Sequence, residues 1–424
     1  MTTAIDTMSL ADTFRSVREI TAALAEPLSA EDCQAQATDC ASPTKWHMAH
    51  TTWFFETFVL RPYVPGYAPW HDRFSFLFNS YYNSIGLRIA RPNRGLMTRP
   101  TLDEVKAYRR DIDEKIESLL STATGRDLDQ VSARIELGLH HEQQHQELIL
   151  TDLKLLFWHN PLLPQYRDDG APPDQSAATS RWIERKAGMA RIGHDDADGF
   201  AYDNEKPAHE RYVNAFRVAS RAVTCGDFLK FMEDGGYQRN ELWLSDGWDT
   251  VQREKWESPL YWRRTDGHWQ IFTLTGAQPV NHGAPVCHVS YFEADAYARW
   301  AGARLPREDE WEVAAAQCPV EGNLLDSRQF HPQPKSSDAN DPQHATSMFG
   351  DVWEWTQSQY TAYPGYIAPE GAFGEYNGKF MCNQFVLRGG SCATPASHIR
   401  KTYRNFFPPD ARWQFTGIRL AQDV

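Results

Sequence analysis

The strongest constraint on the fold is a change in the character of the sequence near residues 161–180. Before this stretch, charged and apolar residues alternate at helical spacing, for example over residues 102–120 and 127–158. The stretch itself is polar and rich in Pro, Asp and Ala, which is typical of a linker or an exposed loop. Beyond it come short apolar runs, many turns and 11 of the 15 tryptophans. We therefore predict a helical bundle over residues 1–160, a linker over 161–180 and a loop-rich domain over 181–424 that is mixed α/β or mostly β.

Charge and hydropathy exclude several classes of partner. The chain has 43 Lys and Arg against 56 Asp and Glu, a formal net charge of -13 that would repel a phosphate backbone. No apolar run approaches the roughly 18 residues that a membrane span needs. The first 30 residues lack the basic start, apolar stretch and cleavage site of a secretory signal. We therefore expect a cytoplasmic protein that acts on small molecules and binds neither nucleic acid nor membranes.

The cysteines indicate neither a disulfide framework nor a thiolate zinc site. There are seven of them, an odd number, widely scattered and without any Cys-x-x-Cys pair. We expect most of them to be buried thiols.

The predicted helix over residues 127–158 carries histidines suited to binding a metal. At about 100° per residue, His141 and His145 lie only about 40° apart around the helix and share one face. Gln144, about 60° to the other side of His141, can border the same site. Glu147 falls about 240° from His141 and is interpreted as a supporting or structural carboxylate, so the third ligand must come from elsewhere.

A second histidine cluster, in residues 46–53, can supply that ligand. His47 and His50 lie three residues apart in this segment, and either could serve. Three imidazoles with open positions suit zinc, iron or nickel, and ligand identity alone does not choose among them. The alternative is that these histidines line a bundle core or a solvated face. A second cluster on another predicted helix favours the metal site.

The two clusters also carry a family resemblance. Trp-His-Met-Ala-His-Thr-Thr-Trp at 46–53, followed by His-Glu-Gln-Gln-His-Gln-Glu at 141–147, resembles the DinB-like domain of the ergothioneine-biosynthesis sulfoxide synthases, the EgtB family. The second half resembles a formylglycine-generating-enzyme-type domain, related to C-type lectin-like folds. Its motifs are DNEKPAH at 203–209, GGY at 235–237, RLPREDEWE at 304–312, GDVWEW at 350–355 and LRGGS at 387–391. The resemblance implies an α+β protein in which a DinB-like four-helix bundle precedes a formylglycine-generating-enzyme-like domain.

The resemblance further implies a cofactor and a reaction. It implies non-heme iron(II) held by His50, His141 and His145, with His47 as a neighbour that is not a ligand. It also implies O2-dependent C–S bond formation between a thiol and the imidazole of N-α-trimethylhistidine (hercynine), which yields a sulfoxide. Three neutral ligands would leave positions at which both substrates and oxygen are brought together.

Two further motifs match residues of the family near the metal. Tyr81-Tyr82 resembles the tyrosine pair of the cysteine-using branch, in which a phenol can donate a proton or a hydrogen bond to oxygen. Adjacent residues point in different directions, so only one is expected to face oxygen closely. Arg91 and Arg94 correspond to the thiol-substrate site, and two guanidiniums three residues apart can grip a carboxylate. The alternatives are a pair of packed aromatics and a solvated basic turn.

The segment Tyr-Arg-Asn-Phe-Phe at 403–407 matches the part of the family that closes over the substrates. Some relatives carry Trp-Asp after the Asn, whereas this chain carries Phe406 and Phe407. The missing acid could have met the amine of a γ-glutamyl donor, so we expect cysteine rather than γ-glutamylcysteine as the thiol. Asn405 and Gln144 could bond the betaine carboxylate, and aromatic faces suit its quaternary ammonium. We expect at least one of the two Phe residues to pack in the core.

Four other functions compete with this prediction. Formylglycine formation resembles a paired-cysteine mechanism, but no second cysteine follows Cys392, so we interpret the second domain as a scaffold. A DinB-like zinc-dependent thiol transferase or isomerase would use a similar site without O2. A lectin-like binding module on an inert bundle would neither bind metal tightly nor catalyse a reaction. An ovothiol-type synthase typically adds a methyltransferase domain, for which no nucleotide-binding fingerprint is evident.

Overall fold

The computed structural model describes residues 9–168, 177–334 and 345–424. By its internal contacts the chain divides into two compact units, Met1–Asn160 and Pro161–Val424. The middle of the predicted linker, residues 169–176, lies outside the described residues.

The first unit is helical. Its helices are α1 (Leu10–Ala25), α2 (Ala30–Gln34), α3 (Thr44–Phe55), α4 (Arg61–Tyr63), α5 (Phe74–Phe78), α6 (Leu102–Thr122) and α7 (Gly125–His159). The four longest, α1, α3, α6 and α7, pack against one another as a four-helix bundle. The two helices expected from periodicity, over residues 102–120 and 127–158, are confirmed to within two residues at each end.

Local capping explains where these helices begin. The Ser9 hydroxyl accepts a hydrogen bond from the Asp12 backbone N–H at the start of α1. At the start of α6, Thr101 and Glu104 form a capping box in which each side chain accepts from the other's backbone N–H. The α3 helix continues through a π-helical turn, Glu56–Leu60, into α4. The buried carboxylate of Glu56 in that turn accepts from the Tyr108 hydroxyl at 2.7 Å.

A buried ion network ties the bundle together. The Glu142 carboxylate on α7 accepts from the guanidiniums of Arg18 on α1, at 2.7 Å, and Arg109 on α6, at 2.9 Å. Arg18 also donates to the Thr52 hydroxyl of α3 at 2.9 Å. Burial alone would raise the pKa of Glu142, but the two guanidiniums lower it to about 2. Removing one partner of such a pair leaves a buried charge uncompensated, so the network fixes the relative position of all four helices.

The second unit is a mixed α/β domain. Its helices are α8 (Cys225–Glu233), α9 (Ser245–Glu254), α10 (Tyr291–Trp300) and α11 (Glu308–Ala315). Its strands are β1 (Trp182–Arg185), β2 (Gly188–Ile192), β3 (His209–Val213), β4 (Phe216–Ala219), β5 (Trp262–Thr265), β6 (His268–Thr273), β7 (Gly276–Pro279), β8 (Gly322–Asn323), β9 (Phe349–Gly350), β10 (Trp353–Gln359), β11 (Phe385–Arg388), β12 (Asn405–Phe407), β13 (Thr416–Gly417) and β14 (Ala421–Asp423). The sequence predicts helix-like pieces at residues 292–301 and 307–316, which match α10 and α11 to within a residue, but it does not single out α8 or α9.

Short sheets organise this unit around buried tryptophans. The largest sheet has the order β12-β11-β10-β13, with β13 parallel to β10 and the other pairs antiparallel. Trp311, Trp353 and Trp355 are almost completely buried. The indole N–H of Trp311 donates to Glu354 at 2.6 Å, and Arg419 pairs with the same carboxylate at 2.7 Å. These tryptophans therefore pack in the core of the second unit. The buried polar groups beside them have hydrogen-bond or ion-pair partners.

The predicted fold class, a DinB-like four-helix bundle followed by a mixed α/β domain, is confirmed. Five of the seven cysteines are buried, as expected, while Cys40 and Cys382 are exposed. Among the described helices, none is both long and apolar enough to cross a membrane.

Candidate metal centre

Three histidines from two helices meet in the interior of the bundle. His50 lies on α3, and His141 and His145 lie on α7. One ring nitrogen from each comes within 4.8 Å of the other two, and the Nε2 atoms of His50 and His141 are 3.1 Å apart. All three side chains are buried. This is the three-residue set that the family resemblance implies as metal ligands.

A close approach of α3 and α7 makes this convergence possible. At Gly138, one turn before His141, an added Cβ would lie 2.5 Å from the Phe55 ring. Glycine inside a helix costs about 1 kcal/mol relative to alanine. Here it lets the two backbones approach closely enough for imidazoles on both helices to share one point.

Aromatic packing orients the imidazole of His50. Trp46, one turn earlier on α3, stacks on it with ring centroids 4.6 Å apart and planes 10° apart. Trp53, almost one turn later, stacks with a centroid distance of 5.5 Å. The spacing of the Trp-x-x-x-His-x-x-Trp segment places all three rings on one face of the helix.

Hydrogen bonds on the second ring nitrogens support ligation. His50 Nδ1 lies 2.5 Å from the carbonyl oxygen of Phe78, which can only accept. The proton therefore sits on Nδ1, and Nε2 keeps a free lone pair. His145 Nδ1 lies 2.8 Å from His47 Nδ1, which leaves His145 Nε2 as its available nitrogen.

The electrostatics keep these imidazoles neutral. Burial lowers the pKa of His141 to about 3. Burial, together with the neighbouring His141, holds the pKa of both His50 and His145 well below the ordinary value. At neutral pH the centre therefore offers three neutral imidazoles, a donor set that suits a divalent transition metal and fits iron, zinc or nickel.

The predicted tyrosines lie in the loop that follows α5. Tyr82 is fully buried, with its ring 5.2 Å from that of Phe58 and 5.9 Å from that of Trp53. Trp53 therefore contacts both Tyr82 and His50. Tyr81 is half-buried, and its ring lies 4.7 Å from that of Tyr82.

The two predicted arginines differ in their environment. Arg94 is buried over the Trp46 ring, 3.4 Å from its centroid, and donates to the Ser42 hydroxyl at 2.8 Å. Burial lowers its pKa to about 8. Its Nε–H has no hydrogen-bond partner among the described residues. Arg91 is exposed and donates to the Cys40 carbonyl at 3.3 Å. The alternative of a solvated turn is therefore wrong for Arg94, while the role of Arg91 in substrate binding stays a prediction.

The other predicted substrate-binding residues lie on α7 and on β12. Gln144 is half-buried, next to the ligand face of α7. On the edge strand β12, Phe406 stacks on Tyr360 at 4.0 Å, and Asn405 Oδ1 accepts from the Phe406 backbone N–H. Phe407, also half-buried, packs edge-on against Trp413. Their part in substrate binding stays a prediction.

One residue beside the centre was not singled out from the sequence. Asp152, seven residues after His145, lies about 20° from His141 around α7, on the ligand face. It is buried, and its carboxylate contacts His47. The helical spacing that relates His141 to His145 could have identified it.

Comparison with known families agrees with this architecture. Residues 13–149 match the DinB superfamily. Residues 170–345 and 321–424 match the sulfatase-modifying factor enzyme 1-like domain.

Curated relatives match two thirds or more of the chain. The hercynine oxygenase of Mycobacterium tuberculosis is 32% identical over 90% of this chain and 91% of its own length. That of Mycolicibacterium smegmatis is 33% identical over 98% of this chain and 99% of its own. That of Mycolicibacterium thermoresistibile is 35% identical over 67% of each chain. The order of the two domains, the histidine motifs and this identity together make the chain a member of the hercynine oxygenase family of enzymes.

Proposed function

We propose that this protein is an iron(II)-dependent sulfoxide synthase that joins cysteine to hercynine with O2. The S–H of the thiol and a C–H of the imidazole are lost, and a C–S bond forms. One oxygen atom ends in the sulfoxide of hercynylcysteine and the other in water. The observation that carries the proposal is the convergence of His50, His141 and His145 in a member of the hercynine oxygenase family.

The donor set supports iron without any anionic ligand from the protein. His50, His141 and His145 would hold the ion, and iron(II) there would pass to O2 the electrons that the two substrates lose and would offer positions open to both substrates. The protein's own contribution is to keep the three imidazoles neutral, to fix the proton of His50 on Nδ1 through Phe78, and to exclude water with Trp46 and Trp53.

Arg94 supports a thiol substrate that carries a carboxylate. A buried guanidinium without a carboxylate partner is costly, and no ion pair forms with Arg94 among residues 9–168. A substrate carboxylate would satisfy its free Nε–H with a charge-assisted hydrogen bond. The exposed Arg91, three residues earlier, would supply a second guanidinium from the solvent side.

Tyrosine is the proposed source of the proton that reduced oxygen needs. The Oη of Tyr82 or Tyr81 would donate it, and a phenol is suited to this because it stays protonated at neutral pH. The burial of Tyr82 beside Trp53 and the half-buried position of Tyr81 beside Tyr82 keep both phenols as candidates.

The remaining proposed contacts concern hercynine and the choice of thiol. Gln144 and Asn405 would bond its carboxylate, and the faces of Phe406 and Phe407 would receive its trimethylammonium. The absence of an acid at Phe407 supports cysteine over γ-glutamylcysteine, because no carboxylate is offered there to the γ-glutamyl amine.

Reconstitution tests the reaction directly. Protein loaded anaerobically with iron(II) is mixed with O2, hercynine and either cysteine or γ-glutamylcysteine, while O2 uptake and product masses are followed. We expect a sulfoxide adduct that needs both substrates and forms faster with cysteine. No uptake with either thiol, together with tightly bound zinc, would instead indicate a zinc-dependent thiol transferase.

Substitution of a ligand tests the metal site. His141→Ala removes one of three donors and should weaken iron(II) binding by more than about 100-fold. This loss of affinity is larger than the one expected when a residue that only contacts a ligand is replaced. His140→Ala is the matched control, because His140 is the neighbouring residue on α7 outside the three-histidine group and should leave the iron content at one per chain. Full iron content in the His141→Ala variant, folded by circular dichroism, would refute the site.

Phenylalanine substitutions test the phenols. Tyr81→Phe or Tyr82→Phe removes only Oη and should slow sulfoxide formation by about 10²- to 10⁴-fold in the variant that loses the proton donor. O2 uptake should then be diverted in part to thiol oxidation, which product masses would reveal. Wild-type rates and products in both variants would show that neither phenol takes part.

A further inference from the structure

We propose that His47 and Asp152 form a hydrogen-bond relay that holds His145 as a metal ligand through Nε2. The inference rests on the proposed metal site and assigns a positioning role to two residues beside it.

The geometry connects the three residues in series. His47 Nε2 lies 3.1 Å from Asp152 Oδ2, and His47 Nδ1 lies 2.8 Å from His145 Nδ1. All three side chains are buried, so solvent does not compete for these contacts. His47 therefore lies between the carboxylate and the ligand.

The hydrogen-bonding capacity of each group fixes the direction of the relay. The Asp152 carboxylate only accepts, so His47 Nε2 must carry a proton and donate it. The proposed relay gives His47 a single ring proton, on Nε2, so that its lone pair is on Nδ1, where it accepts from the Nδ1–H of His145. The only lone pair left on the His145 ring is at Nε2. The relay thus selects one tautomer of His145, as the Phe78 carbonyl does for His50.

The relay also supplies negative charge to the centre. Among the described residues, His47 is the one ion-pair partner of Asp152, and no Arg or Lys nitrogen lies within 4.0 Å of its carboxylate. The Ser42 backbone N–H donates to Asp152 Oδ2 at 2.8 Å, and Oδ1 has no hydrogen-bond partner among the described residues. The positive charge of Arg94 interacts with Asp152 without forming an ion pair, so the buried carboxylate is only partly compensated. A divalent cation bound to His145 would compensate the negative charge of Asp152 through the imidazoles of His145 and His47.

Such outer contacts typically change metal affinity by about 10- to 100-fold. The relay therefore predicts which side chains can replace His47. A glutamine can donate from its amide nitrogen to Asp152 and accept from His145 at its amide oxygen, whereas a leucine can do neither. If His47 only packed in the interior, the glutamine and leucine variants would not differ in metal affinity in this way.

Cobalt(II) is the probe for this test, because its visible spectrum reports on the ligands as well as the affinity. Metal-free full-length protein is titrated anaerobically, comparing wild type with Asp152→Asn, His47→Leu and His47→Gln. We expect affinity to fall by about 10- to 100-fold in His47→Leu and at least about 10-fold in Asp152→Asn. His47→Gln should stay within about threefold of wild type, with an unchanged spectrum.

Asp111→Asn is the matched control for charge. It also removes one carboxylate from the bundle, but Asp111 pairs with Lys115 on α6, outside both the histidine group and the Glu142 ion network. Its cobalt affinity should equal that of wild type. Thermal unfolding of the metal-free proteins shows whether a variant only loses stability.

Either of two results would overturn the relay. The first is a cobalt affinity that is unchanged in both Asp152→Asn and His47→Leu. The second is a His47→Gln variant that binds cobalt as weakly as His47→Leu does. Failure of the wild type itself to bind metal would instead refute the proposed metal site, so the two failures are distinguishable.

Discussion

The burial of three neutral imidazoles between α3 and α7 is the constraint on which the rest of the bundle depends. Imidazoles in an apolar interior need partners for both nitrogens, and the chain supplies them at the outer nitrogens of His50 and His145. Their Nε2 atoms are left facing one point. The close approach at Gly138 and the Glu142 ion network, one residue from His141, hold α7 at the distance this arrangement needs.

The second unit obeys a different constraint, since its short strands and long loops must be held by buried side chains. Tryptophans fill its core, and buried arginines pair with glutamates, as Arg404 does with Glu308 at 2.6 Å. Cys392 is completely buried, and residues 393–424 contain no further cysteine. A domain built this way suits the scaffold role expected of it, in which loops and the edge strand β12 present side chains while the core stays rigid.

Much of the bundle could be predicted because its determinants are local. Periodicity located α6 and α7 within two residues, and the helical wheel paired His141 with His145. The wheel could not choose between His47 and His50, because that choice depends on which imidazole the neighbouring helix faces. The burial of Arg94 against Trp46, the Phe78 carbonyl and the relay through Asp152 all depend on tertiary contacts. Short helices such as α8 and α9 carry too few turns for a clear period.

The central claim is that His50, His141 and His145 hold one metal ion by their imidazoles alone. X-ray absorption spectroscopy of the iron(II)-loaded full-length protein measures this directly, because imidazole rings give a characteristic outer-shell scattering whose amplitude reports their number. We expect three imidazoles at iron and no carboxylate from the protein. A fit that required fewer than three imidazoles, or a protein carboxylate in their place, would contradict it.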